Sequence, residues 1–129
     1  MASTDATGRI AATLIPGDGV GPEIVAAARI VLDTLGAPFA WDERQAGMAA
    51  AKASGDPLPA DTLDSIRRTG LALKGPMTTP VGGGFRSVNV RLREAFGLFA
   101  NVRPVRTIVL GQRFDDIDLV LIRENLGGL

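Results

Sequence analysis

The stretch from Arg9 to Gly36, "RIAATLIPGDGVGPEIVAAARIVLDTLG", combines a strand pattern and a helix pattern around a glycine-rich turn. Its first part is a short apolar run with β-branched residues that stops at Pro16, Gly17 and Gly19. Such a run, ended by turn residues, predicts a buried β-strand. The fold therefore begins with a strand that leads through a tight turn into the next element.

The second part of this stretch has the periodicity of an amphipathic helix. Apolar residues recur at alternating spacings of four and three, as they do along one face of a helix. That face comprises Ile24, Ala28, Val31 and Leu35. Pro22 near the first turn and Gly36 just past the last apolar residue are favourable start and end signals. The stretch therefore predicts a strand, a turn and a helix in succession.

The same alternation continues along the chain. The segment 37–43, "APFAWDE", predicts a second strand, and 57–70, "PLPADTLDSIRRTG", predicts a helix entered through Pro59 and closed by Gly70. The segment 71–75, "LALKG", predicts a short buried strand. Strands that alternate with helices are typical of a mostly parallel sheet covered by helices, so the predicted fold class is α/β.

Composition limits the chemistry that this chain can perform. Its 129 residues suit one ordinary domain, and its 14 basic and 14 acidic residues cancel, which argues against nucleic acid or an anionic membrane as a partner. The absence of Cys, His and Tyr removes disulfides, thiolate metal sites and the usual proton shuttle. We expect residues 1–8 to form a loose leader. With no signal-peptide or membrane-spanning pattern, we expect a cytoplasmic protein.

The segment from Thr78 to Arg106, "TTPVGGGFRSVNVRLREAFGLFANVRPVR", places arginines behind a run of glycines. After Ser87 the pattern is helical, and Asn89 and Arg93, four residues apart, fall together at the border of an apolar face made by Val88, Leu92, Ala95 and Phe96. Ser87 lies near the start of this helix, where free N–H groups favour an anion. The alternative is that Ser87 is simply an N-cap.

Two further arginines accompany strand-like segments. Arg103 lies in "NVRP", and Arg123 follows the apolar run "IDLVLI". Ligands of α/β proteins collect at the carboxyl ends of strands, so Arg93, Arg103 and Arg123 could converge on one polyanion. Guanidinium binds carboxylate in a bidentate manner, which suits a di- or tricarboxylate. The alternative is that each arginine is a surface or salt-bridge residue.

Two other patterns have simpler interpretations. The run "GDGVGP" resembles a dinucleotide fingerprint, but position 22, where the third glycine would stand, is Pro22. We therefore assign Gly17, Gly19 and Gly21 to a tight turn rather than to phosphate binding. An acidic cluster at Asp115, Asp116 and Asp118 is interpreted as a solvated turn rather than as a metal site.

Four separated blocks carry a family resemblance. The blocks "LIPGDGVGPEI", "KGPMTTPVGGGFRSVNVRLR", "ANVRPVR" and "IRENLGG" occur in this order and resemble the amino-terminal part of the isocitrate and isopropylmalate dehydrogenases, the metal-dependent β-decarboxylating dehydrogenases. The resemblance extends from Arg9 to Leu129. It implies an incomplete form of that family's fold, with residues 9–100 as part of the large α/β domain and 101–129 as the start of a second, smaller domain.

The resemblance also implies roles for individual residues. The serine-x-asparagine pair of "RSVNVRLR" is the isocitrate-type pattern, so Ser87 and Asn89 are expected to contact the γ-carboxylate of isocitrate. The residues expected to hold the other carboxylates are Arg93, Arg103 and Arg123. Thr79 is expected to border the nicotinamide, and Lys74 matches a lysine near the substrate in some members. A tartrate-like or malate-like substrate remains open.

The remaining catalytic groups of the family fall outside these 129 residues. The resemblance implies a general-acid tyrosine at position 130, a lysine from a partner subunit and aspartates that bind Mg²⁺ or Mn²⁺. We therefore expect the chain alone to be inactive and to bind neither the metal nor NAD or NADP. Its expected protein partner is the missing half or a homologous full-length subunit, unless it forms a homo-oligomer.

Two other functions remain open. The chain could be a non-catalytic regulatory or binding subunit that keeps the arginines. It could instead be a trimmed homologue recruited to non-redox chemistry on an anionic substrate.

Overall fold

The structure, a computed structural model, describes residues 3–78, 86–111 and 113–126. The chain divides into two compact units, Met1–Asn89 and Val90–Leu129. The domain boundary expected after residue 100 stays a prediction. The elements in chain order are β1 (Ile10–Ile15), α1 (Gly21–Thr34), β2 (Phe39–Glu43), α2 (Met48–Ser54), α3 (Ala60–Thr69), β3 (Ala72–Lys74), α4 (Val88–Ala95), β4 (Ala100–Arg106) and β5 (Asp118–Glu124).

The first unit is built on a parallel three-stranded sheet in the order β2-β1-β3. Thr13 of β1 lies opposite Asp42 on one side and Ala72 on the other. Because β1 is central, it is the most buried strand of this sheet, with Ala12 and Ile15 fully inaccessible. This parallel sheet with its helices confirms the predicted α/β class. The edge strand β3 is largely exposed, however, and not buried as predicted.

Helix α1 forms where it was predicted but turns a different side inward. Its buried residues are Gly21 and Val25. Ile24, Val31 and Leu35 of the predicted apolar face are 50%, 57% and 76% exposed. A Cβ built on Gly75, just after β3, would lie 2.9 Å from Cγ2 of Val25, so this side of α1 faces the chain that leaves β3. The larger apolar side chains of α1 remain uncovered by the described part of the chain.

Helix α3 attaches to the sheet through hydroxyl groups. The Thr13 hydroxyl oxygen lies 2.7 Å from that of Ser65 and 2.9 Å from that of Thr69, and all three residues are buried. Ser65 also donates to Oδ2 of Asp42 at 2.7 Å. Asp42 further contacts Arg68 and, at 2.9 Å, Arg44. A connected polar network thus joins β1, β2 and α3, and buried networks of this kind stabilise only when each member has a partner.

The described residues before β1 make several hydrogen bonds. The Ser3 amide donates to the Thr69 carbonyl at 3.2 Å, and the Ala11 amide donates to the Ser3 carbonyl at 2.8 Å. A hydrogen bond from the Thr7 hydroxyl, helped by the backbone N–H of Arg9, lowers the pKa of Asp5 to about 2. Residues 3–8 therefore form a hydrogen-bonded turn against the first unit.

The second unit contains an antiparallel pair made by β4 and β5. Asn101 lies opposite Arg123, and Arg103 lies opposite Leu121. Arg123 is therefore inside β5, whereas the sequence predicted it just after the strand. Apolar residues of the pair are largely exposed, including Val102, Val120 and Ile122. None of the helices that the structure describes is long and apolar enough to cross a membrane.

The end of β1 meets the end of β3 at very close range. The Asp18 amide donates to the Pro76 carbonyl, and the Gly75 amide donates to the Ile15 carbonyl, both at 2.8 Å. Gly17 has φ +84°, and a Cβ built on it would lie 2.1 Å from the Pro76 oxygen. Only glycine fits at position 17, for reasons of both conformation and space.

Replacing Gly17 by alanine tests this contact, with Gly8 as the matched control. Gly8 has a similar φ of +79° but open space around it, so Gly8→Ala carries the conformational cost alone, about 1 kcal/mol. We expect Gly17→Ala to lower the free energy of unfolding by about 3 kcal/mol, because the backbone must also move away from Pro76. Urea unfolding measures both, and equal losses would contradict the close approach.

Asp42 makes the stability of the first unit depend on pH in the acidic range. Burial raises the pKa of Asp42, but hydrogen bonds from Ser65 and Arg44 and the charges of Arg44 and Arg68 outweigh it, so the net pKa is lowered. The stabilisation is therefore present above the pKa of the unfolded chain and is lost as the pH falls through the lower folded pKa.

Asp42→Asn should destabilise the protein at pH 7 by about 1–2 kcal/mol and remove this part of the acid dependence. Asp64→Asn is the control, since the ion pair that the structure describes for Asp64 is with exposed Arg67 on α3. Urea unfolding between pH 7 and pH 2 gives both quantities. If the free energy of unfolding of Asp42→Asn fell with pH as steeply as that of wild type, the role given to Asp42 would be contradicted.

Candidate functional site

Helix α4 carries two of the predicted substrate-binding residues and begins next to a third. Ser87 directly precedes it. Val88 and Leu92 are buried, whereas Asn89 and Arg93 are partly exposed, as expected of residues at the border of an apolar face. Four residues are about one helical turn, so Asn89 and Arg93 share one side of α4.

The strand pair β4 and β5 brings two of the predicted arginines to one face. Arg123 lies directly opposite Asn101, and Arg103 is two residues further along β4. Residues directly opposite and residues two apart share a face of a sheet, so the three side chains project together. Nε of Arg103 donates to Oδ1 of Asn101 at 3.0 Å. The neutral amide therefore orients one guanidinium.

The opposite face of the same pair has a different charge arrangement. Arg106 lies opposite Asp118 there. Within the described part of the second unit, no carboxylate forms a salt bridge with Arg93, Arg103 or Arg123. The face that carries Arg103 and Arg123 therefore keeps its positive charge within the described part of the second unit, and such a face suits an anionic ligand.

Sequence reasoning missed Asn101 and the shared face. The signal was present in "NVR", because alternate residues of a strand share a face. The pairing register with β5, which brings in Arg123, involves residues about 20 positions apart in sequence and has no local signature.

The predicted cofactor residues are only partly described. Thr79 and the glycines 82–84 lie outside the described residues. Lys74 ends β3, is exposed, and donates from Nζ to the Gly75 carbonyl at 2.6 Å. The structure thus gives Lys74 a position at the carboxyl end of a parallel strand, where ligands of α/β sheets collect.

The glycine-rich turn after β1 does not suit a phosphate. A Cβ on Gly21 would lie 2.5 Å from the Pro16 carbonyl oxygen, and the space beside Gly17 holds the Pro76 oxygen. Carbonyl oxygens are partially negative and would repel a pyrophosphate. This crowding supports the assignment of these glycines to a tight turn.

The described carboxylates likewise do not fit a metal site. Among residues 3–78, 86–111 and 113–126, no three acidic side chains are grouped so that they could hold an ion. Asp115 accepts a hydrogen bond from the Gly111 amide at 3.1 Å, and Asp116 has φ +60°, as in a turn. Lewis-acid chemistry is therefore not assigned to these residues.

Comparison with known proteins places this geometry in a family. The family model described as isocitrate/isopropylmalate dehydrogenase matches residues 11–129. Isocitrate dehydrogenase from Methylococcus capsulatus, a solved structure, is 54% identical with a TM-score of 0.83, over 92% of this chain and 35% of that one.

Curated relatives agree with this structural match. The NAD isocitrate dehydrogenase catalytic subunit 5 of Arabidopsis thaliana mitochondria is 45% identical, over 92% of this chain and 32% of the relative. The NADP isocitrate dehydrogenase of Thermus thermophilus is 47% identical, over 95% of this chain and 25% of the relative. The chain thus spans between a quarter and a third of the length of these two relatives. It belongs to the isocitrate/isopropylmalate dehydrogenase family.

Proposed function

We propose that this chain supplies the substrate-carboxylate-binding part of an NAD(P)-dependent isocitrate-type oxidoreductase. The observation that carries the proposal is the shared face of Asn101, Arg103 and Arg123, which presents two guanidinium groups. Among the described carboxylates, none forms a salt bridge with either arginine. Guanidinium is the side chain best suited to hold a carboxylate through two parallel hydrogen bonds. Isocitrate, with three carboxylates, needs several such groups.

Helix α4 supports the choice of isocitrate over isopropylmalate. Isocitrate has a third carboxylate where isopropylmalate has a branched apolar group. A hydroxyl at Ser87 and an amide at Asn89 can donate hydrogen bonds to a carboxylate, and Arg93 lies one turn along the same side. A site that hydrogen-bonds a polar group discriminates strongly against an analogue that lacks it.

In this proposal the chain binds and orients the hydroxy acid but does not complete the reaction. The nicotinamide, when bound, supplies the hydride acceptor, and Thr79 and Lys74 are proposed to border it. The chain has no Tyr or His to donate the proton that the product requires. Proton transfer and metal binding are assigned to polypeptide outside these 129 residues.

Exposed apolar surface supports a protein partner. Helix α1 exposes Ile24, Val31 and Leu35, and the strand pair exposes Val120 and Ile122. Large exposed apolar surfaces are characteristic of protein interfaces. We therefore propose that the chain is inactive alone. We propose that it acts with a polypeptide carrying the remaining family segments, or with a homologous full-length subunit.

Complementation tests this proposal directly. Adding a fragment of the Methylococcus enzyme that begins after the segment matched by this chain should produce isocitrate-dependent reduction of NAD or NADP. Neither polypeptide should be active by itself, because each lacks groups that the reaction needs. The measurement is absorbance of the reduced nicotinamide after mixing.

The outcomes of mixing separate the three functions. Isocitrate binding without turnover in any mixture would favour a regulatory subunit. Conversion of an anionic substrate without nicotinamide would favour a recruited, non-redox enzyme. Either result would contradict the proposal.

Arg103 and Arg106 provide a matched pair for testing the cationic face. They lie on the same strand but on opposite faces. In the complemented enzyme we expect Arg103→Ala to raise KM for isocitrate on the order of 100-fold, since a charge-assisted bidentate contact is lost. We expect Arg106→Ala to change it less than about threefold. Steady-state kinetics measures both, and equal effects would contradict the assignment of the face.

A further inference from the structure

Asp18 holds together two segments that are far apart in sequence. The residue is only 9% exposed. Its Oδ1 accepts hydrogen bonds from the Met48 amide at 2.8 Å and the Ala49 amide at 3.4 Å, at the start of α2. Its Oδ2 accepts one from the Thr78 amide at 3.0 Å. One buried carboxylate therefore joins the β1–α1 turn, α2 and the chain that follows β3.

The surroundings leave room for this carboxylate and for little else. Gly47 has φ +87°, and a Cβ built on it would lie 2.2 Å from Oδ2 of Asp18. Any larger residue at position 47 would displace the carboxylate. The Asp18 amide also donates to the Pro76 carbonyl at 2.8 Å. Asp18 thus contacts the segment after β3 through both its backbone and its side chain, at residues two apart.

Capping of α2 explains only half of this arrangement. A carboxylate beside the free N–H groups of a helix start is stabilising, which accounts for the bonds to Met48 and Ala49. The bond to Thr78 contributes nothing to α2. It fixes instead Thr78, the residue directly before segment 79–85, whose sequence contains the glycines 82–84.

We propose that Asp18 is a positioning residue. By holding Thr78, it fixes the point at which the chain enters segment 79–85. Thr79, the next residue, is the one proposed to border the nicotinamide, so the catalytic consequence rests on the proposed function. The rate of hydride transfer falls steeply when a reactant is displaced, because the transfer requires a near-attack geometry. The tether itself is a property of the first unit and does not depend on turnover.

Asp18→Asn separates the two halves of the arrangement. A carboxylate has two acceptor oxygens, whereas a carboxamide has one acceptor and an NH₂ group that only donates. In the variant one oxygen can still serve the two amides of α2. The NH₂ group then faces the Thr78 N–H, and two donors cannot bond.

Amide hydrogen exchange on the 129-residue chain, followed by NMR, is the first test. In Asp18→Asn we expect the Thr78 amide to exchange at least about tenfold faster, while Met48 and Leu14 stay within about threefold of wild type. Asp42→Asn is the control, because it removes a comparably bonded carboxylate that has no contact with Thr78. Unchanged exchange at Thr78 in Asp18→Asn would overturn the proposal.

Thr78→Pro tests the same bond from the other side, since proline has no N–H and leaves Asp18 intact. Protection of the Met48 amide should persist in this variant. If the two residues act through one bond, the double variant Asp18→Asn/Thr78→Pro should lose no more activity than either single variant. Additive losses would overturn the proposal.

The complemented enzyme provides the catalytic readout. With isocitrate deuterated at the carbon that gives up hydride, we expect Asp18→Asn to lower kcat by about tenfold or more and to raise the deuterium isotope effect on kcat. Mere loss of folded protein would lower the rate and leave the isotope effect unchanged, which would overturn the positioning role. If wild type shows no turnover, the proposed function fails, and the exchange experiment still decides the tether.

Discussion

The close approach of two backbone segments at the ends of β1 and β3 constrains the rest of the first unit. Parallel pairing with β1 places Lys74 opposite Ile15, so the chain leaving β3 runs directly past the turn after β1. A Cβ on Gly75 would lie 2.1 Å from the Pro16 oxygen, as tight as the contact at Gly17. Because neither segment has a side chain at the contact, the Asp18 carboxylate can reach Thr78. Glycine therefore serves here to allow contact between backbones and not to bind phosphate.

Helices α3 and α1 differ in how far their side chains are covered or bonded within the first unit. Around α3 the hydroxyl groups of Thr13 and Ser65 and the carboxylate of Asp42 form one connected set of hydrogen bonds. In α1 only Gly21 and Val25 are buried, and the larger apolar residues Ile24, Val31 and Leu35 stay exposed. This asymmetry agrees with the chain spanning about a third of the length of several relatives.

The sequence predicted those elements whose ends are set by neighbouring residues. Helix α3 runs from Ala60 to Thr69, with Pro59 before it and Gly70 in the left-handed conformation after it, as its sequence indicates. Helix α2 was missed, since "MAAAKAS" has little apolar periodicity and its start is capped by a distant residue, Asp18. The inward side of α1 and the register of β4 with β5 were also not predictable. Both depend on which distant residues pack nearby, and sequence periodicity does not contain that information.

The strand pair gives the most specific reason to expect an anionic ligand. Its two faces are built from the same two strands, yet they treat charge differently. On one face Arg106 stands opposite Asp118, so opposite charges offset each other across the ladder. On the other face Arg123 stands opposite the amide of Asn101, which also holds Arg103. An asparagine can orient a guanidinium without neutralising it, so the positive charge of this face remains to be balanced from outside the strand pair.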